Sequence, residues 1–266
     1  LKAFRMQGRL EAESPDVARL FELGSVGVVE ASGPKGAEIL AYFEERVEVG
    51  LEGRWEDVEA IDHVAAYRAE LKPVRVGPLV VAPTHRRASL AAGEQVVWLD
   101  PGSAFGTGHH ETTRLALAAL AGRELVDRSV LDVGSGSGIL AVAADRLGAS
   151  LAVGVDTDAA TVAVARRNAV LNRSRARFLQ GSVDHPDLPS RFDVVVANLY
   201  AELHAALMPA YLARLNPDGV LLLTGILTRL EAIVRRALPT GVRCRVEREG
   251  EWSLLVVDPA ASDRTS

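Results

Sequence analysis

The chain has a single cysteine, Cys244, in 266 residues, which excludes a disulfide within it and fits a reducing, cytoplasmic setting. Lysine is nearly absent (Lys2, Lys35 and Lys72), and arginine supplies the other positive charges. That bias is compositional and carries little functional information. No run of eighteen or more apolar residues occurs, so no membrane-spanning helix is expected. The opening LKAFRMQGRL alternates like a strand and lacks the apolar centre of a signal peptide. Low-complexity linkers and internal repeats are also missing. What is present is enough chain to bury a sizeable core, with room for one large domain and a small one.

The net charge of −5 is unevenly spread. From Glu11 to Asp62 there are 14 acidic and 4 basic residues, a net of −10, which leaves +5 for the remainder. An overall negative charge argues against a phosphate-tracking surface for duplex DNA. The acidic stretch suits a basic partner or simply a solvated face, and charge alone does not choose between them.

The most informative stretch is Val130-Leu131-Asp132-Val133-Gly134-Ser135-Gly136-Ser137-Gly138, followed by the apolar run Ile139 to Ala144. It reads as a buried strand, a glycine turn and the start of a helix, with backbone amides placed to face a ligand. A second acid, Asp156, ends the apolar strand Leu151 to Val155, where a carboxylate can accept both ribose hydroxyls. A dinucleotide fingerprint needs glycine at its first, third and sixth positions. Here the sixth position is Ile139, and the segment instead resembles the D-x-G-x-G-x-G turn of S-adenosylmethionine-dependent methyltransferases.

In chain order, residues 1–10 read as a strand, and Pro15 to Leu23 as a helix with Ser14 as N-cap. Two strands, Val26 to Ala31 and Ala37 to Phe43, flank a turn at residues 32–36. From Trp55 the apolar spacing turns helical, and Glu56 to Leu71 reads as a connecting helix stopped by Lys72-Pro73. The expected domains are 1–55, a small α+β unit, then 56–72 as linker and 73–266 as the large domain. Leu79–Ala82 and Gln95–Leu99 are short strands. The glycine-containing loop Pro101 to Thr113 then opens the helix Leu115–Ala121 and reads as a flap over the cofactor. From Val130, strands (130–133, 151–155, 176–180, 192–197, 220–224) alternate with helices (139–147, 159–172, 202–215, 230–237), predicting a parallel sheet covered on both faces. Val242–Glu247 and Trp252–Asp258 close the chain as an antiparallel hairpin, a feature of the methyltransferase fold that dinucleotide dehydrogenases lack. The tail from Ala260 is expected to be disordered.

The fourth strand delivers Asn198-Leu199-Tyr200 to the carboxyl edge of the sheet. DNA adenine and glutamine-amide methyltransferases carry two prolines and an aromatic after this position, and Leu199 and Tyr200 break that pattern. Metal binding is not expected: His109, His110 and Glu111 are adjacent on a turn and do not converge.

With Pro101–Thr113, Leu131–Gly138, Gly154–Asp158, Asn198–Leu203 and the linker Arg68–Lys72-Pro73 in hand, the chain closely resembles the bacterial methyltransferases of large-subunit ribosomal protein eleven, over essentially its whole length. The resemblance implies an α/β class I methyltransferase fold, Rossmann-like, with a seven-stranded sheet ending in an antiparallel hairpin, behind a small α+β substrate-recognition domain. It implies S-adenosylmethionine as cofactor and methylation, to the trimethyl level, of lysine ε-amines and the N-terminal α-amine of that ribosomal protein, free or on the ribosome. The expected cofactor-binding residues are Phe105 and Thr107 in the flap, Thr113, Asp132, Gly134, Gly136, Asp156, Asp158, Ser182 and Asn198. Asp156 is preferred as the ribose ligand, with Asp158 close behind in the same turn. Asn198, Tyr200 and His110 are the catalytic candidates. His110 matches the family's flap histidine, while its neighbours His109 and Glu111 depart from the family pattern.

The implied reaction is direct displacement of a methyl group from sulfonium by a neutral amine, in which alignment supplies much of the rate. Neutralising a lysine at pH 7 costs about 4–5 kcal/mol and an α-amine about 1. A nearby sulfonium and a partly dry site lower the amine's pKa, so no dedicated base is required, and His110 is the candidate if one exists. Asn198 and Tyr200 would position the amine, and the glycine amides would hold the cofactor's carboxylate. No sequence-specific nucleic-acid binding and no membrane contact are expected, and the chain is expected to be a monomer. The alternatives are a methyltransferase for another protein or a small amine, and a non-catalytic cofactor-binding assembly factor.

Overall fold

The computed structural model describes residues 2–8, 15–25, 27–33, 36–43, 45–57, 72–86, 88–100 and 108–258. The chain forms two compact units, Leu1–Tyr67 and Arg68–Ser266.

In the first unit, strands β1 (Lys2–Gln7), β2 (Gly27–Gly33), β3 (Gly36–Phe43) and β4 (Arg54–Asp57) form an antiparallel sheet of order β2-β3-β1-β4. Phe4 and Met6 alternate with Arg5, so one face of β1 is apolar. That face packs with Ile39, Phe43 and the inward side of helix α1 (Pro15–Glu22), namely Val17 and Leu20. The connecting helix expected from Glu56 does not begin there, and Trp55 to Asp57 belong to β4. Phe4 lies opposite Trp55 and Lys2 opposite Asp57. The non-local pairing fills the edge of β1 that β3 leaves open. It also sets the Trp55 ring edge-on to Phe4 and Phe43, at 5.4 and 5.3 Å between centroids. The rest of the expected connecting helix, 58–71, lies outside the described residues, as do Ser14 and the tail from 259.

The second unit begins with a three-stranded sheet, β5 (Val74–Val76), β6 (Leu79–Pro83) and β7 (Gln95–Leu99). Two of these strands are the expected ones. The third, β5, follows Lys72-Pro73 directly and returns through Gly77-Pro78 to pair antiparallel with β6. The free edge of β7 is closed by side chains. Asn172 accepts from Trp98 N and donates to Trp98 O, both at 2.7 Å, and Asn168 accepts from Asp100 N at 3.1 Å.

Seven strands form the main sheet: β8 (Ser129–Val133), β9 (Leu151–Asp156), β10 (Arg177–Gln180), β11 (Phe192–Asn198), β12 (Leu215–Leu227), β13 (Arg243–Glu249) and β14 (Trp252–Asp258). Their order is β10-β9-β8-β11-β12-β14-β13. The first five in that order are mutually parallel, β14 runs antiparallel to β12 and β13 antiparallel to β14, as the alternation and the final hairpin predicted. Helices α2 (Glu111–Ala121), α3 (Ile139–Arg146) and α4 (Ala159–Leu171) bury apolar residues against one face. Helices α5 (Ala201–Ala213) and α6 (Glu231–Ala237) cover the other. The strand order switches direction between β8 and β11, which opens a crevice at their carboxyl ends.

Candidate cofactor and substrate site

The crevice is a cleft of about 530 Å³, within the range of small-molecule sites. One end is formed by the glycine turn, Asp156 and Ser182, and the other by Asn198, Tyr200 and His110. Seven of the sequence-derived positions therefore share one cavity.

The turn is organised by its own hydrogen bonds. Gly134 N and Ser135 N donate to Val155 O at 2.9 and 3.0 Å, Gly136 N to Asp156 Oδ2 at 3.0 Å, and Gly138 N to Ser135 O at 2.8 Å. In this structure these amides donate within the protein. The turn offers close approach instead. Gly138 caps α3 at φ +80°, and a Cβ there would lie 2.7 Å from the Phe178 ring and 2.9 Å from Ala165. Glycine is required at that position twice over, by dihedral and by space.

Asp156 ends β9 and accepts from Gly136 N with one oxygen and from Asp158 N, at 3.1 Å, with the other. Each oxygen keeps a lone pair for a ribose hydroxyl. The neighbouring Asp158 is used otherwise. It is the N-cap of α4, accepting from Ala160 N at 2.9 Å and Thr161 Oγ1 at 2.8 Å, and it does not line the cleft. The Thr161 hydroxyl and then the Ala160 amide lower its pKa.

Asp132 also lies off the cleft wall, 1% exposed beneath the turn. Its Oδ2 accepts from Ala141 N at 3.2 Å, while Oδ1 has no hydrogen-bond partner. Burial pushes its pKa up to about 7. It supports the turn from below and makes no direct wall contact. Ser135 Oγ, buried beside it in sequence, is likewise unpartnered and borders a small second cavity shared with Thr113, Gly134 and Asn198. Phe105 and Thr107 lie outside the described residues.

Asn198 ends β11. Its Nδ2 donates to Thr112 Oγ1 at 3.1 Å and Thr113 Oγ1 at 3.5 Å, which fixes the amide orientation and leaves Oδ1 as the acceptor. Thr113 therefore reaches the site through Asn198. His110 is the N-cap of α2: its Nδ1 lies 2.8 Å from Thr112 Oγ1 and accepts from Thr112 N at 3.3 Å. Its Nδ1 lone pair is used in that cap, and the ring lines the cleft. Tyr200 is 60% exposed at the rim.

Three contributors escaped sequence reasoning. Trp252, at the start of β14, lines the cleft with its ring edge-on to His110, 4.9 Å between centroids at 67°. The antiparallel final strand was the available signal, because it returns its first residue to the carboxyl edge. His204, fully buried in α5, donates from Nε2 to Thr224 O at 2.8 Å, the same carbonyl that accepts from Leu199 N at 3.0 Å. Its Nδ1 lies 3.4 Å from the Tyr211 hydroxyl, and burial lowers its pKa to about 4, so the ring is a neutral strut under the Asn198-Leu199 backbone. Gly225 (φ +82°) sits in a β12 bulge; a Cβ there would strike Leu199 O and lie 2.8 Å from Asn198 Oδ1. Among the described residues no group of three or more His, Cys, Asp or Glu is placed to hold a metal ion.

A family model described as ribosomal protein L11 methyltransferase matches residues 30–259. A ribosomal protein L11 methyltransferase from Thermus thermophilus is 46% identical over 255 residues, 95% of this chain and 97% of that protein. One from Deinococcus radiodurans is 40% identical over 268 residues, with the same shares covered. The crystal structure of a ribosomal protein L11 methylase from Lactobacillus delbrueckii subsp. bulgaricus matches with a TM-score of 0.66 at 30% identity, covering 71% of this chain and 99% of that one. A 16S rRNA N2 G1207 methyltransferase from T. thermophilus, solved with AdoMet and guanosine, shares the fold at TM-score 0.52 and 20% identity, over 87% of this chain and 58% of that one.

Proposed function

The chain belongs to the ribosomal protein L11 methyltransferase family, and we propose that its cleft aligns amines of ribosomal protein L11 for successive methyl transfer. It is an S-adenosylmethionine-dependent methyltransferase of the class I fold. When bound, S-adenosylmethionine supplies an electrophilic methyl group on sulfonium. The cleft fits such a group: an acid at the end of β9 suits a ribose, the turn has no side chain in the way, and the wall is mostly apolar. Asp156 would hold the ribose hydroxyls, with Ser182 and Gly181 beside it at the base-binding end.

The observation that carries the reading is Asn198. Its amide is held by two threonine hydroxyls, and its Oδ1 remains to accept an N–H from an incoming amine. One accepted hydrogen bond of this kind aims the nitrogen lone pair while leaving it unshared. Leu199, Leu203 and Leu207 exclude water from one side, which favours the neutral amine over the ammonium. The proton released by the amine leaves through the open rim at Tyr200, so no residue serves as base. The lysine ε-amines and the N-terminal α-amine are the proposed acceptors, up to trimethylation. The unit Leu1–Tyr67 is the proposed recognition domain, because its net negative charge suits a basic protein. Cytoplasmic monomers would meet that substrate free or on the ribosome.

The test is incubation of the purified protein with ribosomal protein L11 and S-adenosylmethionine, followed by intact mass. Stepwise increments of one methyl group are expected. An unchanged mass would leave a binding module, and methylation of a different substrate alone would redirect the specificity.

A further inference from the structure

We propose that Trp252, with His110 and Tyr200, is a product-multiplicity determinant: its ring retains the methylated ammonium between transfers, so that one bound amine is carried to the quaternary state. This rests on the function proposed above. In each round the amine's lone pair forms the N–C bond and the S–C electron pair returns to sulfur. The resulting ammonium then releases a proton to solvent before it can react again. Between rounds the cleft must hold a cation that has gained methyl groups and lost N–H donors. Hydrogen bonding to Asn198 Oδ1 therefore weakens as methylation proceeds and vanishes with the last methyl.

A carboxylate would be the ordinary partner for that cation, and among the described residues lining the cleft Asp156 is the sole one. It is tied to the glycine turn and belongs to the ribose end. The nearby acids are engaged elsewhere. Glu249 accepts from Arg114 Nε at 2.8 Å and from Arg114 Nη2 at 2.5 Å, and Glu111 lies 3.7 Å from the same guanidinium. What the wall does present at the Asn198 end is aromatic: Trp252, His110 and the exposed Tyr200. Indole is the strongest of the aromatic faces for a cation, and a methylated ammonium, less hydrated and with fewer donors at each step, suits it better than a bare one. The position of the indole is built in. Trp252 pairs with Leu227 and Glu249 across two strands, and its ring rests against the imidazole whose Nδ1 caps α2.

The test compares wild type, Trp252→Leu and Trp252→Phe on ribosomal protein L11, reading the mono-, di- and trimethyl distribution by mass at matched extents of reaction. Trp252→Leu should accumulate mono- and dimethyl forms, shifting the ratio of partial to full methylation by about fivefold or more, with Trp252→Phe intermediate. S-adenosylmethionine affinity by calorimetry should stay within about twofold, which a merely structural role for the indole would not preserve. A second measurement needs no variant. A trimethyllysine peptide from the substrate should bind wild type about fivefold tighter than its neutral tert-butyl isostere. An unaltered methylation distribution in Trp252→Leu, or equal binding of the two peptides, overturns the proposal. Failure of wild type to methylate the ribosomal protein at all would instead remove the function on which it rests.

Discussion

Asp132 and His204 are buried titratable groups whose effects on stability run in opposite directions. Burial raises Asp132 from 3.8 to about 7, so the folded chain keeps a proton over an interval in which the unfolded chain has released it. Stability therefore falls as pH rises through that interval, by about 2–3 kcal/mol between pH 5 and pH 8. Burial lowers His204 from 6.5 to about 4, so here the unfolded chain holds the extra proton. That contribution is lost as pH falls towards 4, and it grows by about 2 kcal/mol from pH 5 to pH 8. In wild type the two oppose each other, and each substitution unmasks the other group. Asp132→Asn cannot ionise and keeps an acceptor for Ala141 N. Its melting temperature should climb from pH 5 to pH 8 by roughly 4–8 °C for a unit of this size. His204→Gln keeps a donor for Thr224 O and should slope downward over the same range by a similar amount. Thermal unfolding of the cofactor-free protein at several pH values reads both slopes. Parallel profiles for wild type and Asp132→Asn would refute the assignment of a proton to that buried carboxyl.

Asp156→Ala should lower S-adenosylmethionine affinity at least about tenfold by calorimetry with the fold intact, because ribose acceptor and turn support are lost together. Unchanged affinity would take Asp156 out of the site. Gly225→Ala should displace the Leu199 carbonyl and Asn198 Oδ1, reducing kcat about tenfold or more while cofactor affinity changes little. Equal losses in both would show the bulge to be general scaffolding. Removal of Leu1–Tyr67 should abolish methylation of ribosomal protein L11 while cofactor binding persists. Full activity of the shortened chain would end the recognition-domain reading.

The parallel sheet and the glycine turn were legible because both are written locally, as a period-two apolar run, three glycines and a following helix. The switch in strand order between β8 and β11 then put Asp156 and Asn198 at one edge without further information. Less legible was which partner each polar group takes. Asp156 and Asp158 look equivalent in sequence, and only the start of α4 separates them, by claiming Asp158 as its cap. The turn amides looked available, but Val155 O and the Asp156 carboxylate accept from three of them. Trp55 misled because its apolar spacing is helical, whereas the open edge of β1 is a long-range demand that no local window contains. Trp252 and His204 were overlooked for a related reason: their roles follow from antiparallel return and from burial, neither of which their neighbours announce.

Asn168, near the end of α4, and Asn172, its C-cap, bear on how this protein behaves in crowded solution. By occupying the main-chain groups of Trp98 in both directions, Asn172 stands in for a neighbouring strand. A second molecule then finds no ladder to extend along β7. Conversion of that amide to a carboxylate by slow deamidation would replace a donor with a charge facing the Trp98 carbonyl. Self-association of aged preparations, read by size-exclusion chromatography, should therefore start at this margin.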